Sequence, residues 1–211
     1  MEIAIALFDR FTALDAIGPY EVLSRLPGAK VRFVAHDAGR VHADTRMLTL
    51  VAEARLEDVP APDVLVVPGG IGSRALLADE RMLGWIGHAH EHSRWTASVC
   101  TGSLLLAAAG VLDGRRAATH WAARDELAAL GVQPAAQRVV RAGKIVTAAG
   151  VSAGLDMALT LAALVAGDDI ARAIQLELEY DPQPPFDAGS PDAAGPQIIA
   201  LMREITAFER E

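Results

Sequence analysis

Residues 98–121, SVCTGSLLLAAAGVLDGRRAATHW, contain Cys100, the one cysteine in the sequence. A short apolar run, residues 95–99, precedes this cysteine, and small and aliphatic residues follow it from 101 to 112. Such a pair of runs is typical of a buried strand that passes directly into a helix. The stretch therefore predicts an α/β fold with a thiol at the turn between a strand and a helix.

The rest of the chain alternates between the same two kinds of segment. Pattern and turn residues predict strands at 2–8, 31–35, 47–51, 63–67 and 95–99, a hairpin at 138–141 and 144–148, and helices at 14–26, 80–92, 101–109, 121–130, 152–166, 168–179 and 197–209. Strand–helix alternation predicts a three-layer α/β sandwich with a mostly parallel central sheet. We predict a single domain, residues 1–211, whose C-terminal loop and helix, residues 181–211, lie at an interface or at the active site.

Composition limits the classes of function. The 211 residues are 52% hydrophobic and 22% charged, which is typical of a soluble globular protein. The net charge of −8 argues against nucleic acid as a partner, because phosphate binding needs a basic face. The longest apolar run, residues 104–112, is too short to cross a membrane. A single cysteine forms no intramolecular disulfide, so we expect a cytoplasmic protein.

The position of Cys100 favours a nucleophile. Ligands of open parallel sheets bind at the carboxyl ends of the strands, and Cys100 directly follows one. The N–H groups and dipole of the following helix favour a thiolate, so we expect a thiol pKa below the usual ~8.5. Gly102 and Ser103 are small enough for a tight turn, as in the nucleophile elbow of hydrolases. The alternative is that Cys100 is a small buried hydrophobic residue.

Two further segments follow predicted strands. Pro68-Gly69-Gly70 follows the strand at 63–67, and the N–H groups of Gly70 and Thr101 could together form an oxyanion hole. The alternative is an ordinary turn. Asp15 lies near the start of the first helix, where it either caps the helix or supplies a carboxyl to the thiol for acid–base chemistry.

The histidines give weaker signals. His88 and His92 have the i, i+4 spacing of metal ligands, but without a third ligand we expect them and His90 to face solvent and predict no metal site. His120 is the last histidine in the sequence, so no later His-x-Glu pair completes a glutaminase triad. We expect His120 to be a polar core or interface residue rather than a catalytic base.

Five segments together resemble the isonitrile hydratases of the ThiJ/PfpI superfamily, whose fold is flavodoxin-like and similar to class I glutamine amidotransferases. The Cys-Thr-Gly-Ser run, the Thr-His-Trp triplet and the PPFxAGSPD loop are the most specific. The segments are LDAIGPYEV (14–22), VVPGGIG (66–72), SVCTGSLLLAAAGVLDGRRAATHW (98–121), AAGVSAGLDMALTLAA (148–163) and QLELEYDPQPPFDAGSPDAA (175–194).

The resemblance implies a function and a set of site residues. It implies hydration of an isonitrile to an N-substituted formamide through a cysteine thioimidate, by a lyase that forms homodimers and needs neither cofactor nor metal. Cys100 matches the nucleophile, Asp15 its acidic partner and Thr101 the residue beside the substrate. Gly70 matches the backbone donor of the Pro-Gly-Gly turn, and we predict that the substrate is bound by Gly70, Ile71, Gly150, His120 and Trp121.

Two alternatives remain at this stage. A glyoxalase-like or deglycase-like enzyme would act on a carbonyl. Such relatives usually carry a glutamate near the cysteine and often a nearby histidine, so Asp15 and Thr101 disfavour this alternative. A non-catalytic ligand sensor is the second alternative, since similar domains occur fused to helix-turn-helix regulators.

Overall fold

The structure is a computed structural model that describes residues 1–208. The chain divides into two compact units, Met1–Leu178 and Glu179–Glu211. The strands of the described residues are β1 (Glu2–Ala6), β2 (Lys30–Ala35), β3 (Gly39–His42), β4 (Thr49–Ala52), β5 (Ala54–Arg55), β6 (Val64–Val67), β7 (Trp95–Val99), β8 (Arg116–Ala117), β9 (Gln133–Pro134), β10 (Val139–Ala142) and β11 (Ile145–Ala148).

Helices follow most of these strands. The α-helices of the described residues are α1 (Ala13–Leu23), α2 (Glu80–His92), α3 (Gly102–Ala108), α4 (Arg124–Ala129), α5 (Ala153–Ala166), α6 (Asp168–Glu177) and α7 (Pro191–Phe208). Within residues 1–208, three short 3-10 helices cover Leu56–Asp58, Ile71–Leu76 and Trp121–Ala123. The predicted alternation of strands and helices is therefore confirmed.

The first unit is built on a seven-stranded sheet with the order β10-β11-β7-β6-β1-β2-β5. Every neighbouring pair is parallel except β10–β11, which is the predicted hairpin. The central strand β6 reads VLVV and is buried at every position, as expected for a parallel strand covered on both faces. The predicted α/β fold with a mostly parallel sheet is confirmed.

Two predicted segments differ in detail. The strand predicted at 47–51 is β4, and it pairs with β3 in a separate antiparallel ribbon rather than joining the main sheet. The helix predicted at 121–130 begins with the 3-10 turn Trp121–Ala123 before α4 starts. In both cases the apolar pattern identifies a structured segment, but pairing and helix type depend on contacts that the local sequence does not specify.

The second unit contains α7, in which Gly195 interrupts the helical conformation with φ +74° and ψ 170°. Exposed apolar side chains follow this kink at Ile198, Leu201 and Ile205. The helix predicted at 197–209 lies within α7, except for position 209, which is outside the described residues. Whether the two units form one domain, as the sequence predicts, stays a prediction.

None of the helices in residues 1–208 combines the length and the apolar character that crossing a membrane requires.

Candidate active site

Cys100 occupies the predicted turn between β7 and α3. Its backbone has φ +56°, in the left-handed region that costs a non-glycine residue about 1–2 kcal/mol. Its N–H donates to the carbonyl oxygens of Ala148 (3.2 Å) and Ala149 (3.0 Å). Its carbonyl oxygen accepts from the hydroxyls of Ser103 and Thr119, each at 3.1 Å. These four hydrogen bonds hold the strained turn in place.

Gly102 lets α3 begin directly after this turn. A Cβ atom at this position would clash with the carbonyl oxygen of Val67, the last residue of β6, and would lie 2.8 Å from that of Pro68. The helix therefore starts against the carboxyl end of the neighbouring strand. This close approach explains why a glycine stands two residues after Cys100.

The thiol of Cys100 is less acidic than the sequence predicts. The residue is only 6% exposed, and burial together with the negative charge of Asp15 raises the thiol pKa above its ordinary value. The backbone N–H groups of Thr101 and Val151 act in the opposite direction but are outweighed. The expectation of a lowered pKa is wrong because it considered the helix start and not the burial that tertiary packing imposes.

Asp15 is completely buried in the first turn of α1. Its Oδ2 accepts a hydrogen bond from the N–H of Gly69 (3.0 Å), whereas its Oδ1 has no hydrogen-bond partner among residues 1–208. Its pKa is raised to about 7, chiefly by burial and also by the charge of Asp44, although the Gly69 N–H and the Cys100 thiol act to lower it. A carboxyl with this pKa can gain or lose a proton at neutral pH.

Helix capping does not account for Asp15. The N-cap residue of α1 is Thr12, and the carboxylate of Asp15 bonds to Gly69, 54 positions away, instead of to the helix N-terminus. The Thr12 hydroxyl in turn donates to Asp44 Oδ2 (2.8 Å). Asp44 thereby lies close enough to act on the Asp15 carboxyl, a contribution that sequence reasoning missed because Asp44 belongs to no recognisable motif.

The Pro-Gly-Gly loop holds Asp15 and Thr101 together. A Cβ on Gly69 would lie 2.5 Å from the Thr101 nitrogen and 2.9 Å from Asp15 Oδ2, so only glycine allows this approach. Gly70, at φ +138°, donates its N–H to Thr101 Oγ1 (2.9 Å), and the hydroxyl of Ser73 also reaches that oxygen (3.1 Å). The Thr101 side chain is thus fixed from two sides.

The predicted oxyanion hole of Gly70 and Thr101 is not formed in the structure. The N–H of Gly70 is taken by Thr101 Oγ1, so Gly70 and Thr101 do not present two open N–H groups. The two N–H groups that act on the sulfur belong to Thr101 and Val151. Val151 follows the carboxyl end of β11, which neighbours β7, and has φ +38°, an unusual value for a β-branched residue. No feature of the local sequence identifies it.

Two other predicted binding residues, His120 and Gly150, are chain neighbours of Thr119 and Val151, which bond to Cys100. His120 packs against Gly150, where a Cβ atom would clash with the imidazole ring. Nδ1 of His120 accepts from the N–H of Ala122 (3.2 Å), so the neutral ring carries its proton on Nε2. Burial and nearby positive charges, those of Arg74 and Arg124, lower its pKa and so favour the neutral ring.

Trp121 and Ile71 are half-buried. The Trp121 ring lies 5.7 Å from that of His120, measured between centroids. Ile71 directly follows Gly70 and begins a 3-10 helix. That these residues and Gly150 bind substrate stays a prediction.

Known proteins share both the sequence pattern and the fold of this chain. The model of the DJ-1/PfpI family matches residues 1–164. An isonitrile hydratase from Pseudomonas putida is 45% identical over 207 residues, covering 98% of this chain and 90% of that protein. The crystal structure of a THiJ/PfpI family protein from Pseudomonas syringae superimposes with a TM-score of 0.92 at 36% identity, covering 99% of this chain and 87% of that one.

Transcriptional regulators are also similar to this chain, but the match covers a smaller share of their length. The HTH-type transcriptional regulator GbdR of Pseudomonas aeruginosa is 30% identical over 192 residues, which are 85% of this chain but 50% of the regulator. The match to the family model contains Asp15, Cys100 and Val151. The region that matches the family model therefore includes these residues of the candidate active site.

Proposed function

The chain belongs to the DJ-1/PfpI family, and we propose that it is an isonitrile hydratase, a lyase that converts R–NC and water into the formamide R–NH–CHO. The observation that carries this proposal is the 45% identity, over nearly the whole chain, to the isonitrile hydratase of Pseudomonas putida. The buried pair of Asp15 and Cys100 supports it, because the reaction needs a nucleophile and a group that moves protons at neutral pH.

The first half of the reaction forms a thioimidate. Because the pKa of the Cys100 thiol is raised and that of Asp15 is about 7, the reactive form of the pair carries a thiol and a carboxylate. The carboxylate takes the thiol proton as sulfur attacks the terminal carbon of the isonitrile. The N–H groups of Thr101 and Val151 stabilise the charge on sulfur. Asp15 then gives the proton to the same carbon, which yields R–N=CH–S–Cys100 and restores the carboxylate.

The second half adds water. Asp15 takes a proton from water as the oxygen bonds to the thioimidate carbon, and it passes that proton to nitrogen. The resulting R–NH–CH(OH)–S–Cys100 collapses when the C–S bond breaks and C=O forms. The hydroxyl proton returns through Asp15 to sulfur. One carboxyl thus acts alternately as base and acid, a role for which a pKa near the working pH is suited.

We also propose that the enzyme is a cytoplasmic homodimer that takes a small-molecule isonitrile and neither nucleic acid nor membrane as a partner. The exposed apolar side chains of α7, Ile198, Leu201 and Ile205, support a contact with a second copy. Light scattering at micromolar concentration should give twice the mass of the chain, and a monomer would contradict this part of the proposal.

A direct test incubates the purified protein with a simple alkyl isonitrile and follows the formamide by NMR. Wild type should form formamide catalytically, and Cys100→Ala should give only the background rate. Absence of formamide with wild type, for a series of alkyl and aryl isonitriles, would contradict the proposal. Turnover by Cys100→Ala would contradict the covalent route.

A further inference from the structure

The last turn of α2 carries three side chains of the kind that bind metals, on one exposed face. His88, Glu91 and His92 each offer one ligand atom, and these three atoms lie within 4.8 Å of one another. Their spacing of i, i+3 and i+4 places them on the same side of the helix. We propose that these residues, the α2 triad, form a zinc-binding site.

The hydrogen bonding of His92 prepares it as a ligand. Its Nδ1 lies 2.8 Å from the carbonyl oxygen of His88. Because a carbonyl oxygen only accepts, Nδ1 carries the proton, and the lone pair is on Nε2, which is left for a metal. Metal-binding histidines commonly donate their second N–H to a backbone carbonyl in this way. The rings of His88 and His92 are 4.3 Å apart between centroids, so the two imidazoles already lie side by side.

The neighbouring charged groups leave the α2 triad accessible. His90 belongs to another face of the helix, where its Nδ1 lies 2.8 Å from Thr96 Oγ1. Lys144 places its ammonium on backbone carbonyls at the end of α2, those of His90, Glu91 and Ser93, and not on the Glu91 carboxylate. No ion pair in residues 1–208 involves Glu91.

The donor set fits a transition metal such as zinc. Two imidazoles and one carboxylate form the three-ligand set of open zinc sites, in which water fills the fourth position. Magnesium and calcium prefer oxygen ligands alone. The sequence predicts no metal here because the two histidines lack a third ligand, whereas in the structure Glu91 lies close enough to be that ligand.

The α2 triad lies apart from the candidate active site. Helix α2 ends at His92, just before the amino end of β7, whereas Cys100 follows the carboxyl end of the same strand. Five strand residues extend about 16 Å at ~3.3 Å per residue. Zinc at the α2 triad is therefore expected to bind without taking part in the reaction at Cys100.

The test is isothermal titration of zinc chloride into the full-length protein, treated with chelator and free of a polyhistidine tag. Wild type should bind one zinc ion per chain. Loss of an outer-shell partner alone weakens metal binding about 10–100-fold, so His88→Ala and His92→Ala should each weaken it by at least about tenfold. Circular dichroism should show that both variants are folded, since all three side chains are exposed.

Two matched controls locate the site. His42→Ala removes an exposed histidine of β3, and Cys100→Ala removes the thiol, so both should bind zinc as wild type does. Hydration of an isonitrile by His88→Ala should equal that of wild type. Lack of saturable binding by wild type, undiminished binding by His88→Ala and His92→Ala, or loss of binding in Cys100→Ala would each overturn the proposal.

Discussion

Two carboxyl groups of the first unit have pKa values shifted in opposite directions. Asp15 is fully buried and its pKa is raised to about 7, chiefly by that burial. Glu57 is exposed and accepts hydrogen bonds from two guanidinium nitrogens of Arg81, Nε (2.6 Å) and Nη2 (3.0 Å), which lowers its pKa to about 2. An ionised carboxylate is therefore stabilised by water and a cation and destabilised by burial without a cation. Of these two groups, only Asp15 exchanges a proton near neutral pH.

The largest effect on activity is expected from removal of the Cys100 thiol. Cys100→Ala should lower isonitrile hydration to the uncatalysed rate, because the C–S bond of the thioimidate cannot form. The fold should persist, since a small buried side chain is replaced by a slightly smaller one. Formamide production is followed by NMR, with the melting temperature as a control. Near wild-type turnover would mean that the carboxyl acts without a nucleophile.

Asp15→Asn should have the next largest effect. Asparagine preserves the shape of the side chain but cannot give up and regain a proton at neutral pH, so turnover should fall by about 10²–10⁴-fold. Asp15→Glu retains a carboxyl on a longer arm and should keep a measurable rate above that of Asp15→Asn. Steady-state kinetics measure both. If folded Asp15→Asn hydrates the substrate at a near wild-type rate, Asp15 does not move protons.

The raised pKa of Asp15 also predicts that the stability of the protein depends on pH. The folded-state pKa of Asp15, about 7, exceeds the ordinary 3.8, so its contribution to folding is fully present below about pH 4 and is lost as the pH rises through 7. The full difference corresponds to about 4 kcal/mol. Urea unfolding at pH 5 and pH 8 should therefore show a larger loss of stability in wild type than in Asp15→Asn. Equal losses would show that the pKa of Asp15 is ordinary.

Glu57→Gln serves as the matched control and should have the smallest effect. The pair of Glu57 and Arg81 is exposed to water, and such surface ion pairs contribute little to stability. Isonitrile turnover and the melting temperature should both remain close to wild type. A large loss of activity would show that the contrast between the buried and the exposed carboxyl does not locate the chemistry.

The sequence predicts the fold and the turn at Cys100 because both depend on local patterns. Apolar runs, glycine stops and strand–helix alternation identify the parallel sheet, and the run from 95 to 112 identifies the turn. The antiparallel ribbon of β3 and β4 is not predicted, because its pairing depends on tertiary contacts.

The interior of the candidate site depends on residues that are distant in sequence. The bond between Asp15 and Gly69 spans 54 positions, and the contribution of Val151 comes from a loop after the neighbouring strand. The raised pKa of Cys100 results from burial by those elements. The local sequence shows the helix start beside the thiol but not this burial. It therefore predicts the wrong direction for the shift in the pKa of Cys100.

The most direct test of proton sharing between Asp15 and Cys100 is the pH profile of kcat/KM for isonitrile hydration by wild type. At low pH both Asp15 and Cys100 carry protons and no base is present, so the rate should rise with pH through an apparent pKa near 7. Because this value belongs to the coupled pair, Asp15→Asn should lose that rise. A wild-type rate that stays constant between pH 5 and 8 would contradict the proton-sharing pair.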